Sequence, residues 1–239
     1  MLELYVTASE QNSGKNLITA GLSATMQSLG YSTGVYKPVE CGIITKNGFN
    51  QSKDLAFINY CDPNVKTAFT YQFASNSNPL LASFNEKITI DDDLILKDYL
   101  NFSSFLECSI IDGGDGLAIP YAKNIVEEDI IRKTNAPLLL VVSPKVASIN
   151  SILISINHAI ASNINVRGVV ICDYTNDTEN MDAKLTPNLV EAYSNAKILG
   201  TLPTFDNNKE IKPSDLISSI LTNIDIEKVF DIKIARLSE

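Results

Sequence analysis

The chain has 239 residues, 45% of them hydrophobic, and a formal net charge of −9. That length and apolar content suffice for one substantial core, and the acidic balance excludes a nucleic-acid surface, which needs clustered Lys and Arg to release counterions. Four widely spaced cysteines (Cys41, Cys61, Cys108, Cys172) and the single His158 suggest neither a disulfide framework nor a zinc site.

The chain reads as a single domain, residues 1–239, with reduced thiols. No apolar run reaches the ~18 residues of a membrane span, and a strand begins at once without a leader. The expectation is a soluble, unprocessed cytoplasmic protein that contacts neither membrane nor nucleic acid.

In chain order, the apolar run Leu2 to Val6 predicts a buried strand leading into the polar loop Ala8-Ser9-Glu10-Gln11-Asn12-Ser13-Gly14-Lys15. This arrangement cradles phosphate. Glycine lets backbone N–H groups turn inward, Lys15 adds a positive charge, and the following helix offers its positive end to the same anion. The phosphate-loop pattern asks for Ser or Thr after the lysine to hold Mg²⁺, and here that position is Asn16. From Asn16 to Leu29, Ile18, Leu22, Met26 and Leu29 share one helical face, and Gly30 supplies a stop.

A second strand is predicted at Thr33 to Tyr36. It is followed by Lys37-Pro38-Val39-Glu40-Cys41-Gly42, where proline stiffens a turn and Lys37 projects from the strand end. Residues 38 to 105 read as a long, irregular excursion with short helices. Within it, Asp54 suits either a helix cap or a Mg²⁺ ligand. The strand Ser109 to Ile111 delivers Asp112 into the turn Gly113-Gly114-Asp115-Gly116, the usual second nucleotide motif of such sheets, with the acid toward the metal. Asp115 is read first as a turn residue.

Helices follow at Val126 to Lys133 and Val146 to Ala161, with strands at Pro137 to Val142, Val166 to Cys172 and Ile198 to Leu202. Strands alternating with helices predict an α/β fold of the P-loop type, a parallel sheet with helices on both faces and ligands at the carboxyl ends of the strands. Val229, Phe230, Ile232 and Ile234 read as core or dimer contacts.

Taken together, the stretches VTASEQNSGKN, GVYKPVECG, SKD, IIDGGDG, GVVICD and GTLP resemble the dethiobiotin synthetase family over nearly the whole chain, in order. The resemblance implies a homodimer that binds substrate near the subunit interface. It implies an ATP-dependent closure of a ureido ring: CO₂ adds to an amine of 7,8-diaminopelargonate, ATP phosphorylates the carbamate, and the neighbouring amine displaces phosphate. Carried over by position, Asn12, Ser13, Gly14, Lys15, Asn16 and Leu17 would hold the nucleotide, with Lys15 on its phosphates. Lys37 would stabilise carbamate and transition state, and Cys41 occupies a substrate-contacting Ser position. Asp54, Asp112 and Asn16 would hold Mg²⁺.

On the nucleotide side, Cys172 and Asp173 fall near the base, and Pro203, Thr204 and Glu210 fall at the other adenosine contacts. Asn150 matches an interface position near the substrate. The chain departs from the family at Ala8, Gln11, Asn16 and Cys41, and in a GGDG turn where the family has GAGG. There Asp115 either opposes an anionic carbamate or attracts the substrate's ammonium. The competing readings are a nucleotide-binding homologue without turnover and a related ATP-dependent ligase with another substrate.

Overall fold

The computed structural model describes residues 1–46, 49–175, 180–205 and 211–234. In chain order its elements are β1 (Leu2–Ala8), α1 (Lys15–Ser28), β2 (Thr33–Cys41), β3 (Ile44–Lys46), β4 (Phe49–Gln51), α2 (Lys53–Cys61), β5 (Lys66–Phe73), α3 (Pro79–Glu86), α4 (Asp92–Ser103) and β6 (Cys108–Asp112). There follow β7 (Pro120–Ala122), β8 (Ile125–Val126), α5 (Glu127–Thr134), β9 (Leu138–Val142), α6 (Ile149–Ala161), β10 (Val166–Tyr174), α7 (Met181–Tyr193), β11 (Ile198–Pro203), α8 (Pro213–Asn223) and α9 (Ile226–Phe230).

Seven strands form one sheet in the order β11-β10-β9-β1-β6-β2-β5. All its pairings are parallel, so each connection must cross over the sheet, and the intervening helices cover both faces. β1 pairs with β6 on one side and β9 on the other. The chain builds outward from β1 in both directions, and the crevice beyond the carboxyl ends at such a reversal is where these sheets take ligands.

The period-two alternation of β1 shows why two layers of helix are needed. Leu4 and Val6 join a core with Ile18, Leu22 and Met26 of α1, Ile220 of α8 and Phe230 of α9. Tyr5 joins the opposite core with Tyr36, Ile111, Tyr99 of α4, and Ile130 and Ile131 of α5. A third cluster, with Leu140, Val142, Ile152, Ile156 and Val190, seats α6 and α7 on β9 and β10. Full burial of each such side chain is worth ~1.5–3 kcal/mol. The expected stop of α1 is present: Gly30 has φ +95, its N–H reaches Gln27 O at 3.0 Å, and Tyr31 N–H reaches Met26 O at 3.1 Å. At Gly21 a Cβ would lie 2.5 Å from Ile220 Cγ1, so α1 and α8 approach through a missing side chain.

Two expectations change. β2 runs on to Cys41, so Pro38 lies inside a strand rather than in a turn, and Lys37 projects from the strand's body rather than its end. The strand tolerates proline because β2 pairs with β6 only as far as Tyr36 and continues with β5 alone, so no ladder bond toward β6 is lost. The turn comes at Gly42, with φ +79 and its N–H directed to Phe73 O at 2.9 Å. The excursion from 38 to 105 also contains β5, an edge strand of the main sheet. Only Phe73 of β5 is fully buried, so its sequence lacks the continuous apolar run that marks the inner strands.

Candidate functional site

The loop after β1 closes on α1 through Gly14, which caps the helix at φ 93, ψ 9, a left-handed conformation that costs a side-chain-bearing residue strain. A Cβ there would also stand 2.7 Å from Cys172 Sγ, so both backbone and space demand glycine. Asn12 is likewise left-handed at φ 63, and Ser13 Oγ donates to Glu10 O at 2.7 Å, tightening the turn. Lys15 begins α1, and its ammonium donates to Asp112 Oδ1 at 2.8 Å and to Asn16 Oδ1 at 3.3 Å. Thr19, one turn further, donates to the same Asp112 oxygen at 3.2 Å.

Lys37, 6% exposed, stands among three carboxylates. It pairs with Asp54, with Glu40 at 3.0 Å and with Asp112 at 3.0 Å. Burial pulls the Lys37 pKa down, but Asp112, Asp54 and Glu40 together override it and hold the ammonium well above the ordinary lysine value. Burial likewise opposes the charge on Asp112, yet Lys15 and Lys37 bring its carboxyl down to about 2. Glu40 goes the other way: burial raises it more than Lys37 lowers it. The cap of α2 is Ser52, whose side chain accepts from Leu55 N–H. Asp54 is therefore free of capping, and it engages Lys37 and the Asn16 amide, whose Nδ2 donates to it at 2.5 Å.

Of these groups Lys15, Asn16, Lys37, Glu40 and Asp54 line one cleft of about 1160 Å³ that runs from the phosphate loop, Leu17 included, past Lys37 and Cys41 to Asn76, Asp115 and Tyr121, with Asp112 buried behind them. Burial pushes the Cys41 thiol up to about 11, so it faces the cleft as a neutral group. The turn after β6 is held from beneath. Gly114 N–H donates to Glu127 Oε1 at 2.8 Å, and Thr7 Oγ1 donates to Gly114 O at 3.1 Å. A Cβ at Gly113 or Gly114 would come within 2.3 or 2.5 Å of a Glu127 oxygen. Burial lifts the Glu127 carboxyl to about 7 against the pull of the nearby Thr7 hydroxyl and the hydrogen bond from Gly114 N–H.

Among the described residues no three His, Cys, Asp or Glu side chains converge as a metal cluster. Mg²⁺ nonetheless needs only one or two protein carboxylates when phosphate and water oxygens complete its octahedron. Asp54 and Asp112 flank Lys37, the Asn16 side-chain oxygen lies against Lys15, and Asp112 Oδ2 is buried with the Lys37 ammonium against it at 3.0 Å. This set of hard oxygen donors fits that ion.

Residues 3–211 match the family described as an AAA domain, AAA_26. The chain belongs to that family. Among curated relatives, the ATP-dependent dethiobiotin synthetase BioD of Bacillus subtilis (strain 168) is 23% identical over 207 residues, covering 87% of this chain and 89% of the relative. The enzyme of the same description from Bacillus cereus (strain G9842) is 24% identical over 234 residues, covering 96% and 93%. The resemblance carried by the motifs thus extends along the chain. Among solved structures, the MinD cell division protein of Aquifex aeolicus superposes with a TM-score of 0.57 at 14% identity, covering 99% of this chain and 100% of that one. A nucleotide-binding protein of Archaeoglobus fulgidus in complex with ADP superposes at 0.51 with 12% identity, covering 98% and 93%. At those identities the likeness is one of fold.

The structure sorts the remaining expected residues. Asp173 lines the cleft with φ 55 and accepts from Ser143 Oγ at 2.7 Å. Cys172 does not line it: at 3% exposure it lies beneath Gly14, because alternate residues of β10 face opposite sides of the sheet. Pro203 and Thr204 are exposed at the end of β11, beside Phe205, which does reach the cleft. Asn150 is exposed in the first turn of α6, away from the cleft lining. Glu210 lies outside the described residues. Asp115 does not serve the turn by hydrogen bonding; Glu127 and Thr7 do that. Glu40, Thr19 and Glu127 are the site residues that sequence reasoning missed. Glu40 sat inside the quoted KPVECG stretch and carried a signal, whereas Glu127 begins an ordinary amphipathic helix and carried none.

Proposed function

We propose that this chain is an ATP-dependent dethiobiotin synthetase, acting in the cytoplasm as a homodimer with Mg²⁺. The observation that carries the reading is Lys37, a buried ammonium held among Asp54, Glu40 and Asp112 in a cleft continuous with the phosphate loop. A ligase joining a carbamate to a γ-phosphate must bring two anions together, and that task needs preorganised cations more than a strong base.

In this reading Lys15 and the loop amides bind the phosphates. The diamine extends along the far part of the cleft, where CO₂ adds to one amine with loss of a proton. Lys37 then stabilises the resulting carbamate and the charge that develops as its oxygen takes the phosphoryl group. The second amine attacks the carbamoyl carbon and displaces phosphate, closing the ring. Asp54, Asp112 and the Asn16 oxygen would hold Mg²⁺, which supplies neutralisation of phosphate charge. The dimer would bring Asn150 of α6 toward substrate.

A second reading, a nucleotide-binding homologue without turnover, is favoured by one observation: the Asn16 amide and Lys37 already occupy Asp54. Phosphate release with ATP, Mg²⁺, bicarbonate and 7,8-diaminopelargonate separates the two. Release that needs the diamine and collapses in Lys37→Ala and Asp54→Ala supports the synthetase. Nucleotide binding without diamine-dependent release supports the homologue.

A further inference from the structure

Asp115 differs from every other carboxylate that lines the cleft. Glu40 and Asp54 pair with Lys37, Glu10 accepts from Gln11 N–H within its own loop, and Asp173 accepts from Ser143. Asp115 has neither a hydrogen bond nor an ion pair among the described residues, although it is half-buried in the cleft wall. Nor is it held loosely. The turn that presents it is clamped by Glu127 on Gly114 N–H and by Thr7 on Gly114 O, and glycines 113 and 114 leave no room for the turn to shift past Glu127.

A carboxylate that has lost much of its water and gained no partner is costly, and a ligand cation relieves that cost. Burial, together with the neighbouring Asp112 and Asp54, raises the Asp115 pKa more than Lys15 and Lys37 lower it. A divalent ion is a poor candidate for that partner, since it requires several oxygens and no third carboxylate converges there among the described residues. A phosphate or carboxylate would be repelled. A monocation that arrives with its own hydrogen-bond donors fits, and an alkylammonium is such a group.

We propose that Asp115 is a specificity-determining residue of the cleft, its carboxylate recognising the ammonium group of an amine substrate. The inference deepens the ligase reading and rests on it for the amine's identity. Simple alkyl amines hold their proton up to a pKa of ~10.4, so near neutral pH a diamine carries at least one positive charge. Binding that charge at Asp115 leaves the other, neutral amine to meet CO₂ beside Lys37. The site then distinguishes an amine from the amine-free acid of the same length by the one charge it reads.

The test is direct binding by calorimetry to the full chain, without turnover, using 7,8-diaminopelargonate and nonanoate, which has the same chain and carries no amine. Wild type should favour the diamine by about tenfold, the factor that corresponds to ~1.4 kcal/mol. Asp115→Asn, which keeps shape and removes charge, should lose that preference while its melting temperature stays within about 2 °C. Asp115→Glu should retain part of it. Equal affinity of wild type and Asp115→Asn for the diamine, or an equal loss for both ligands, overturns the inference and leaves the ligase reading standing. A tenfold preference that depends on Asp115, in a protein that releases no diamine-dependent phosphate, upholds ammonium recognition and overturns the ligase reading. A wild type that binds neither ligand overturns both.

Discussion

At the end of the cleft formed by β1, β2 and β6, Lys15, Lys37 and Asp112 are buried and joined to one another, with Glu40 and Asp54 attached. At the other end, beyond β10 and β11, Pro203 and Thr204 are exposed and Asp173 is held by a serine hydroxyl. The first end works by fixed charge and owes its geometry to the centre of the sheet. The second depends on loops. Phosphate chemistry needs positions accurate to fractions of an ångström, which strands provide, whereas contact with a base tolerates change at exposed loop residues.

The comparison is tested most severely at Lys37. Lys37→Ala leaves buried carboxylates without their cation and should cost ~3 kcal/mol of unfolding free energy in urea. Diamine-dependent phosphate release should fall by about 10³-fold. An unchanged rate would show that the fixed-charge end is not where chemistry occurs.

Gly14→Ala should weaken binding of a fluorescent ADP analogue by at least about tenfold, because left-handed strain of ~1–2 kcal/mol adds to the collision with Cys172. Combining it with Cys172→Ala should recover the steric part and leave the strain. Full recovery would mean that the backbone angle at Gly14 does not matter.

The next effect is a pH dependence. Folded Glu127 keeps its proton up to about 7, whereas a free glutamate releases it near 4.5. The native state therefore binds more protons in that window, and stability falls as pH rises from ~4.5 to ~7, by on the order of 3 kcal/mol. Asp112 acts in the opposite sense, with stability lost as pH falls through about 2, below this window. Glu127→Gln should flatten the wild-type decline in urea titrations. Parallel profiles for the two proteins would show that the carboxyl beneath the turn ionises freely.

The smallest effect belongs to the loop end. Asp173→Asn should change ADP affinity by less than about threefold, within the ±0.5 kcal/mol typical of surface substitutions. A larger loss would erase the contrast between the two ends.

The sheet was legible wherever a strand is buried on both faces, since Leu2–Ala8, Leu138–Val142 and Val166–Tyr174 present nearly continuous apolar runs. β5 was not legible, because an edge strand half open to solvent has no such run. α7 hides behind Pro187 in its interior, a residue that ordinarily argues against helix. In the site, Lys15, Lys37, Asp54 and Asp112 were readable because each lies in a short recognisable motif: Lys15 opens α1, Asp54 lies in the first turn of α2, Asp112 ends β6, and Lys37 precedes the proline of β2. Glu127 and Thr19 act by folding back onto those motifs from a distance in sequence, and a one-dimensional pattern does not display such contacts. Cys172 shows the converse: a motif places a residue along the strand, but its side chain faces away from the cleft.

The contact between Gly21 and Ile220 bears on where this molecule could be trimmed. The family match ends at residue 211, but Leu216 and Ile220 of α8 are both 0% exposed and belong to the same core as Ile18 and Leu22. A shortened chain cut at the family boundary would bare the outer flank of the helix that carries Lys15. It would also lose the bridge between Gly200 and Ile224 that ties the last helices to the sheet. The minimal folding unit thus extends beyond the region that sequence comparison delimits, and the helix behind the phosphate loop depends for its support on residues past that boundary.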